Sequence, residues 1–285
     1  MPHYPIGFMQ GRLSPLVDGK IQAFPWKYWR QEYPAAAHIG ISYMEWTLDE
    51  DRLYENPFMT AEGHQEIFHL GKSHGLKVKS VTGDCFMQAP FWKAFDSRLR
   101  QSLVDKLYAI VGACGCLGVE TIVIPLVDNG SMDNLQQRET IHQVLHEMKP
   151  LLRNNGVRIV FEVDLPPESL LEWIETYDRN YFGINYDMGN SAALGFDPRE
   201  EINSYGSWID NVHVKDRIVG GTTIALTSGA VDFTTIFSAL RKANYQGLYI
   251  LQSARAEDND HAGLLVRYVD MVTNWLQQSS RGGEE

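Results

Sequence analysis

TIVIPLVDNGSMDNLQQRETIHQVLHEMKPLLRNNGVRIVFEVD, residues 121–164, decides how the rest of the chain is read. It opens on a short apolar, β-branched run at 121–127 (TIVIPLV) and closes on a second at 158–164 (RIVFEVD). Between them, 134–153 carries apolar residues at helical spacing, the pattern of an amphipathic helix. NNGVRIV puts a glycine just after that helix and just before the strand, where a left-handed C-cap residue belongs. Brief Val/Ile-rich runs without polar alternation are what buried parallel strands look like. The stretch is therefore one strand–helix–strand unit.

Moving outward, the same unit recurs. Strand-like runs occupy 5–9 (PIGFM), 43–46 (YMEW), 78–83 (VKSVTG), 182–187 (FGINYD), 212–216 (VHVKD) and 247–252 (GLYILQ). Helix-like segments occupy 95–114, 169–177, 233–242 and 263–276, and HGLKVKS again sets a glycine between helix and strand. Pro166-Pro167 suits entry into a helix, since proline is tolerated in the first turn. Eight strands alternating with helical segments make an α/β chain closing as a (β/α)8 TIM barrel. A doubly wound sheet would carry a glycine-rich phosphate loop after an early strand, and no G-x-G-x-x-G or P-loop sequence is present. No Pro/Gly/Ser-rich linker divides the chain, so one barrel domain is expected over 1–278, with 279–285 (SSRGGEE) as a disordered tail.

Composition narrows the function classes. Of 285 residues, 44% are hydrophobic and 21% charged, enough apolar material for a full core. A formal net charge of −11 disfavours nucleic acid as a partner. The three cysteines, Cys85, Cys114 and Cys116, give no disulfide framework, and Cys114 and Cys116 are expected to be buried structural thiols. MPHYPIGFMQGR lacks the pattern of a signal peptide, and no apolar run nears the ~20 residues of a membrane span. A cytoplasmic location and no membrane partner are the corresponding expectations.

Functional side chains of a TIM barrel sit where strands end at the C-terminal face. Glu162, Asp187, His213 and Gln252 end the fifth to eighth strands, so they converge on one side of the mouth. Singly, each has an ordinary reading as a helix cap, a rim ion pair or a core histidine. Together, two carboxylates, an imidazole and an amide oxygen form a mixed N/O set suited to one divalent metal ion: Mn2+, Mg2+, Co2+ or Zn2+.

Four motifs resemble one family. Asp187-Met-Gly-Asn190, His213-Val-Lys-Asp216 and Gly229-Ala-Val-Asp-Phe233 look like the sugar-phosphate isomerase/epimerase group of xylose-isomerase-like barrels, as does Met9-Gln-Gly-Arg-Leu-Ser-Pro15. That group includes L-xylulose-5-phosphate 3-epimerase, D-tagatose 3-epimerase, hydroxypyruvate isomerase and inosose dehydratase. The resemblance implies a metal-dependent isomerase or epimerase of a small sugar or sugar phosphate, moving a proton next to a carbonyl. It also implies that Glu162, Asp187 and His213 match three metal ligands, and it is compatible with a homo-oligomer. The fourth position departs: the family pattern has a glutamate that is both ligand and acid/base, and Gln252 stands there. An amide oxygen can coordinate an ion but cannot take up and return a proton. Glu162 is then the one remaining strong base, and such a group is worth ~10²–10⁴ in rate. A one-base reaction such as aldose–ketose isomerisation or a dehydration survives the change better than epimerisation.

Around these, Arg12, Lys215, Arg217 and Arg255 are candidates for a phosphate or carboxylate of the substrate, and Glu45 and Asp84 for its hydroxyls. Each has a rim ion pair or a helix cap as its plain alternative. Trp46, Phe86 and Trp92 are candidates for an apolar wall, or for packing. His142 and His146, at i and i+4 with no third ligand in view, are placed on the outer surface. Two other functions use this fold. An endonuclease IV-like phosphodiesterase needs a histidine-rich zinc cluster, which Asn190 and the acidic chain oppose. A non-catalytic sugar-binding barrel has Gln252 in its favour.

Overall fold

The computed structural model describes residues 4–281. Eight parallel strands close a barrel in the order β1, β8, β7, β6, β5, β4, β3, β2. They are β1 (Ile6–Met9), β2 (Tyr43–Thr47), β3 (Lys77–Thr82), β4 (Thr121–Leu126), β5 (Arg158–Val163), β6 (Phe182–Asp187), β7 (Ile209–Val214) and β8 (Leu248–Leu251). The outer helices are α1 (Glu32–His38), α2 (Ala61–His74), α3 (Ser97–Leu117), α4 (Leu135–Asn155), α5 (Pro167–Ile174), α6 (Pro198–Tyr205), α7 (Phe233–Lys242) and α8 (His261–Arg281). Helix α8 runs through the expected boundary at 278, and 282–285 lie outside the described residues.

Local chemistry accounts for the boundaries. In α4, Ile141, Leu145, Met148 and Leu152 form one buried stripe, and the Asn134 side chain accepts the Gln137 N–H at 3.0 Å to cap the start. Gly75 and Gly156 end α2 and α4 at φ 68° and 66°, the left-handed conformation glycine adopts without steric cost. Pro167 is the first residue of α5, as its ring requires.

Three readings change. The seventh strand is Ile209–Val214 rather than 212–216, because Asp216 and Arg217 leave the barrel and pair antiparallel with Thr223–Ile224. Short helices at Asp84–Gln88 and Met188–Leu194 follow β3 and β6 directly. Cys85 and Cys114 are buried but Cys116 is exposed. Two residues past Cys114 is about 200° around a helix, so Cys116 turns away from the buried stripe of α3.

Candidate functional site

The interior of the barrel carries a polar layer centred on His213, which is fully buried on β7. Its Nε2 lies 2.7 Å from Oε1 of Glu45 on β2, across the barrel. Its Nδ1 lies 3.2 Å from Glu162 Oε2 and 3.7 Å from Asp187 Oδ2. Asn185 Nδ2 donates to Glu162 Oε2 at 2.9 Å and is 3.1 Å from the same Nδ1. Asn211 Nδ2 donates to Glu45 Oε2 and to Asn185 Oδ1, and Ser80 donates to Glu45 Oε2. Each buried polar atom named here is therefore held by another.

The charges within this layer act on one another. Burial opposes a charged imidazole, but Glu45, Asp187 and Glu162 together hold the His213 pKa well above its ordinary value. Burial likewise opposes a charged Asp187. The Lys215 ammonium, with help from His213 and the Asn190 N–H, nevertheless keeps that carboxyl well below the usual range. Glu162, Asp187 and His213 each offer one ligand atom, and these lie within 4.8 Å of one another. An imidazole whose far nitrogen is fixed on a carboxylate, beside two further carboxylates, is the donor chemistry of a divalent-metal site.

On the rim, Lys215 Nζ donates to Asp187 Oδ2 at 3.1 Å, to Asn190 Oδ1 at 3.0 Å and to Gln252 Oε1 at 3.3 Å. Arg217 Nη1 donates to the same Asn190 oxygen at 2.7 Å, and Asn190 Nδ2 donates to Glu162 Oε1. Gln252 thus joins the cluster through Lys215.

The other candidates lie elsewhere. Glu45 lies behind His213 as its hydrogen-bond partner. Arg12 is buried, with Nε donating to the Ser253 carbonyl at 2.8 Å and Nη1 to that of Ile21 at 3.0 Å. Burial and the nearby Arg255 bring its pKa down to about 9. Arg255 donates to the Ser14 carbonyl. Asp84 is buried at the end of β3, where burial and the charges of Asp49 and Glu162 push its pKa up to about 7. Its Oδ1 accepts from Thr82 at 3.4 Å, and Oδ2 has no hydrogen-bond partner among the described residues. Trp46 is core, packed on Phe24, Trp29 and Phe58. Trp92 donates to the Gly130 carbonyl, and Phe86 is buried. His142 stacks on His146 on α4, half-buried and exposed respectively.

Sequence reasoning passed over Asn185, Asn211 and Glu32. A signal existed for the asparagines: each stands two residues before a candidate ligand, Asp187 or His213, and side chains two apart on a strand share a face. Glu32 had no such mark. It reaches from α1 to accept the N–H groups of Gly11 and Leu13 at 2.9–3.0 Å, and burial raises its pKa to about 7.

The chain has relatives. A putative L-ribulose-5-phosphate 3-epimerase, SgbU of Haemophilus influenzae, is 24% identical over 244 residues, covering 79% of this chain and 83% of that protein. A xylose isomerase domain protein from Planctomyces limnophilus superposes with a TM-score of 0.76 at 17% identity, over 98% of this chain and all of the other. The IOLI protein, solved with a bound zinc atom, superposes with a TM-score of 0.73 at 18% identity, over 95% of this chain and 99% of the other. The sequence model of the xylose isomerase-like TIM barrel family matches residues 33–268. The chain belongs to that family.

Proposed function

We propose that the chain is an isomerase or epimerase of a small sugar or sugar phosphate, transferring a proton next to a carbonyl. The observation that carries this reading is the meeting of Glu162, Asp187 and His213 at one point at the C-terminal ends of β5, β6 and β7. The relative described as a ketose-phosphate epimerase, spanning most of both chains, supports the substrate class. Glu162 is the base that takes the substrate proton. In an isomerisation it returns that proton to the neighbouring carbon on the same face. In an epimerisation water returns one from the opposite face, since Gln252 cannot act as an acid. Asn185 and Asn190 orient the two oxygens of Glu162, one each.

Glu162, Asp187 and His213 would hold one divalent ion, with Gln252 as a neutral fourth donor. The donor set fits such an ion: two carboxylates balance its charge, and Glu45 fixes the ring so that Nδ1 faces the carboxylates. When bound, the ion supplies Lewis-acid polarisation of a carbonyl and its neighbouring hydroxyl. Lys215 and Arg217, on the rim beside Asn190, would face an anionic or hydroxyl group of the substrate.

The test is turnover by the full chain on a panel of ketoses and ketose phosphates, L-ribulose 5-phosphate among them, with Mn2+ and after chelation. Formation of an epimer or aldose that needs the ion is expected. Metal-loaded protein that binds a ketose and converts none of them would instead mark a non-catalytic sugar-binding barrel.

A further inference from the structure

We propose that Lys215 is a built-in cation that competes with a divalent ion for the mouth, so that filling the site is an exchange between its ammonium group and the metal. The inference rests on reading Glu162, Asp187, His213 and Gln252 as the ligand set. Asp187 has one oxygen to offer, because Oδ1 accepts the Asn190 N–H at 2.8 Å at the start of the helix Met188–Leu194. The other, Oδ2, faces His213 Nδ1 at 3.7 Å and Lys215 Nζ at 3.1 Å. Gln252 Oε1, the donor on the eighth strand's side, also accepts from Nζ, at 3.3 Å. Two of the four ligand atoms are therefore already turned toward a positive charge.

That charge is held in place. The Lys215 side chain is only 13% exposed. Its stem lies on Gly189, where an added Cβ would come within 2.7 Å of Lys215 Cγ. Moving toward Asn190 would bring it closer to Arg217, whose guanidinium already shares the Asn190 oxygen. An ion bound to Oδ2 would stand a few ångströms from this ammonium in a buried, poorly screened setting, where like charges repel strongly. With a glutamate at 252 a further negative charge would offset the ammonium; the neutral Gln252 does not. Loading thus requires Lys215 to give up Gln252 and Asp187.

The experiment is calorimetric titration of the full chain with Mn2+ at one pH, for the parent, Lys215→Met, Lys215→Gln and Asp187→Ala. Both neutral Lys215 variants should bind Mn2+ tighter by about tenfold or more, the scale of one unit charge at this range. Asp187→Ala should lose binding. In thermal melts, Mn2+ should raise the midpoint more in Lys215→Met than in the parent, an effect that loss of a merely structural contact would not produce. Unchanged or weaker binding in both neutral variants, with a parent that does bind, overturns the exchange and leaves the ligand set standing. Absence of binding in the parent and in both neutral variants overturns the ligand set, and the exchange with it.

Discussion

Charged residues follow the strand ends on both sides of this barrel, but they are used differently. At the ends of β5, β6 and β7, Glu162, Asp187, His213 and Lys215 contact one another and two asparagines. At the β8–β1 seam, the charged groups contact main chain. Arg12 donates to the carbonyls of Ser253 and Ile21, Arg255 to that of Ser14, and Glu32 accepts the N–H groups of Gly11 and Leu13. A side chain bonded to main chain braces a loop, and its loss falls on folding. Side chains bonded to each other keep donor atoms that a ligand can take over, and their loss falls on chemistry. Of the basic residues that sequence alone offers for substrate binding, Arg12 and Arg255 belong to the first kind of contact and Lys215 to the second. Arg217 has both, with Nε and Nη2 donating to the Gly221 carbonyl and Nη1 to Asn190 Oδ1.

The contrast can be broken by experiment. On the β5–β7 side, Glu162→Gln should lower turnover by ~10²–10⁴, the usual worth of a general base. Its melting temperature should fall only modestly, because the amide preserves shape and one acceptor oxygen, although its NH2 group then faces an asparagine donor, at a cost of about 1–3 kcal/mol. A variant that unfolds instead would make Glu162 a brace like Arg12.

On the seam side, pH offers the next test. The folded chain holds the Glu32 proton up to about pH 7, whereas an exposed glutamate releases it near 4.5. Between those values the folded state binds more protons than the unfolded state, so stability falls as pH rises through that window and levels off above it. Asp84, raised from 3.8 to about 7, adds a slope of the same sign. Unfolding free energies from urea titrations between pH 5 and 8 should therefore fall. A proton kept by the folded chain and lost by the unfolded one changes stability by ~1.4 kcal/mol for each pH unit crossed, so the whole fall is a few kcal/mol. Glu32→Gln should flatten part of it. A parent whose stability rises through this window would contradict the assignment.

The smallest effect is expected from Arg12→Met, which keeps the stem and removes the donors to Ser253 and Ile21. Leaving the buried Ser253 carbonyl unpaired costs about 1–3 kcal/mol, measurable as a lower urea midpoint. An unchanged midpoint with a raised KM would move Arg12 into the substrate site and erase the contrast between the two sides.

The fold was legible because its signals are local. Residues 182–187 and 233–242 read at their observed bounds, since strand and helix periodicity and the capping residues all lie within a few positions. Glu162, Asp187 and His213 were legible for a related reason: barrel topology alone puts successive strand ends side by side. The contact between Glu45 and His213 was not, because it spans 168 positions and exists only once the barrel closes. Nor was the use of Lys215 or Arg12. The destination of a long side chain depends on which acceptors the folded loops present, and spacing in sequence carries none of that. Cys116 misled because an apolar neighbourhood in sequence runs around both faces of a helix.

Of all these measurements, solvent exchange tests the proposed chemistry most directly. The parent chain, loaded with Mn2+ and incubated with a ketose substrate in D2O, should place deuterium on the carbon beside the carbonyl. NMR should show the label, and Glu162→Gln should lose it along with turnover. Label appearing as fast in Glu162→Gln as in the parent would mean that another group moves the proton, and the role assigned to Glu162 would be wrong.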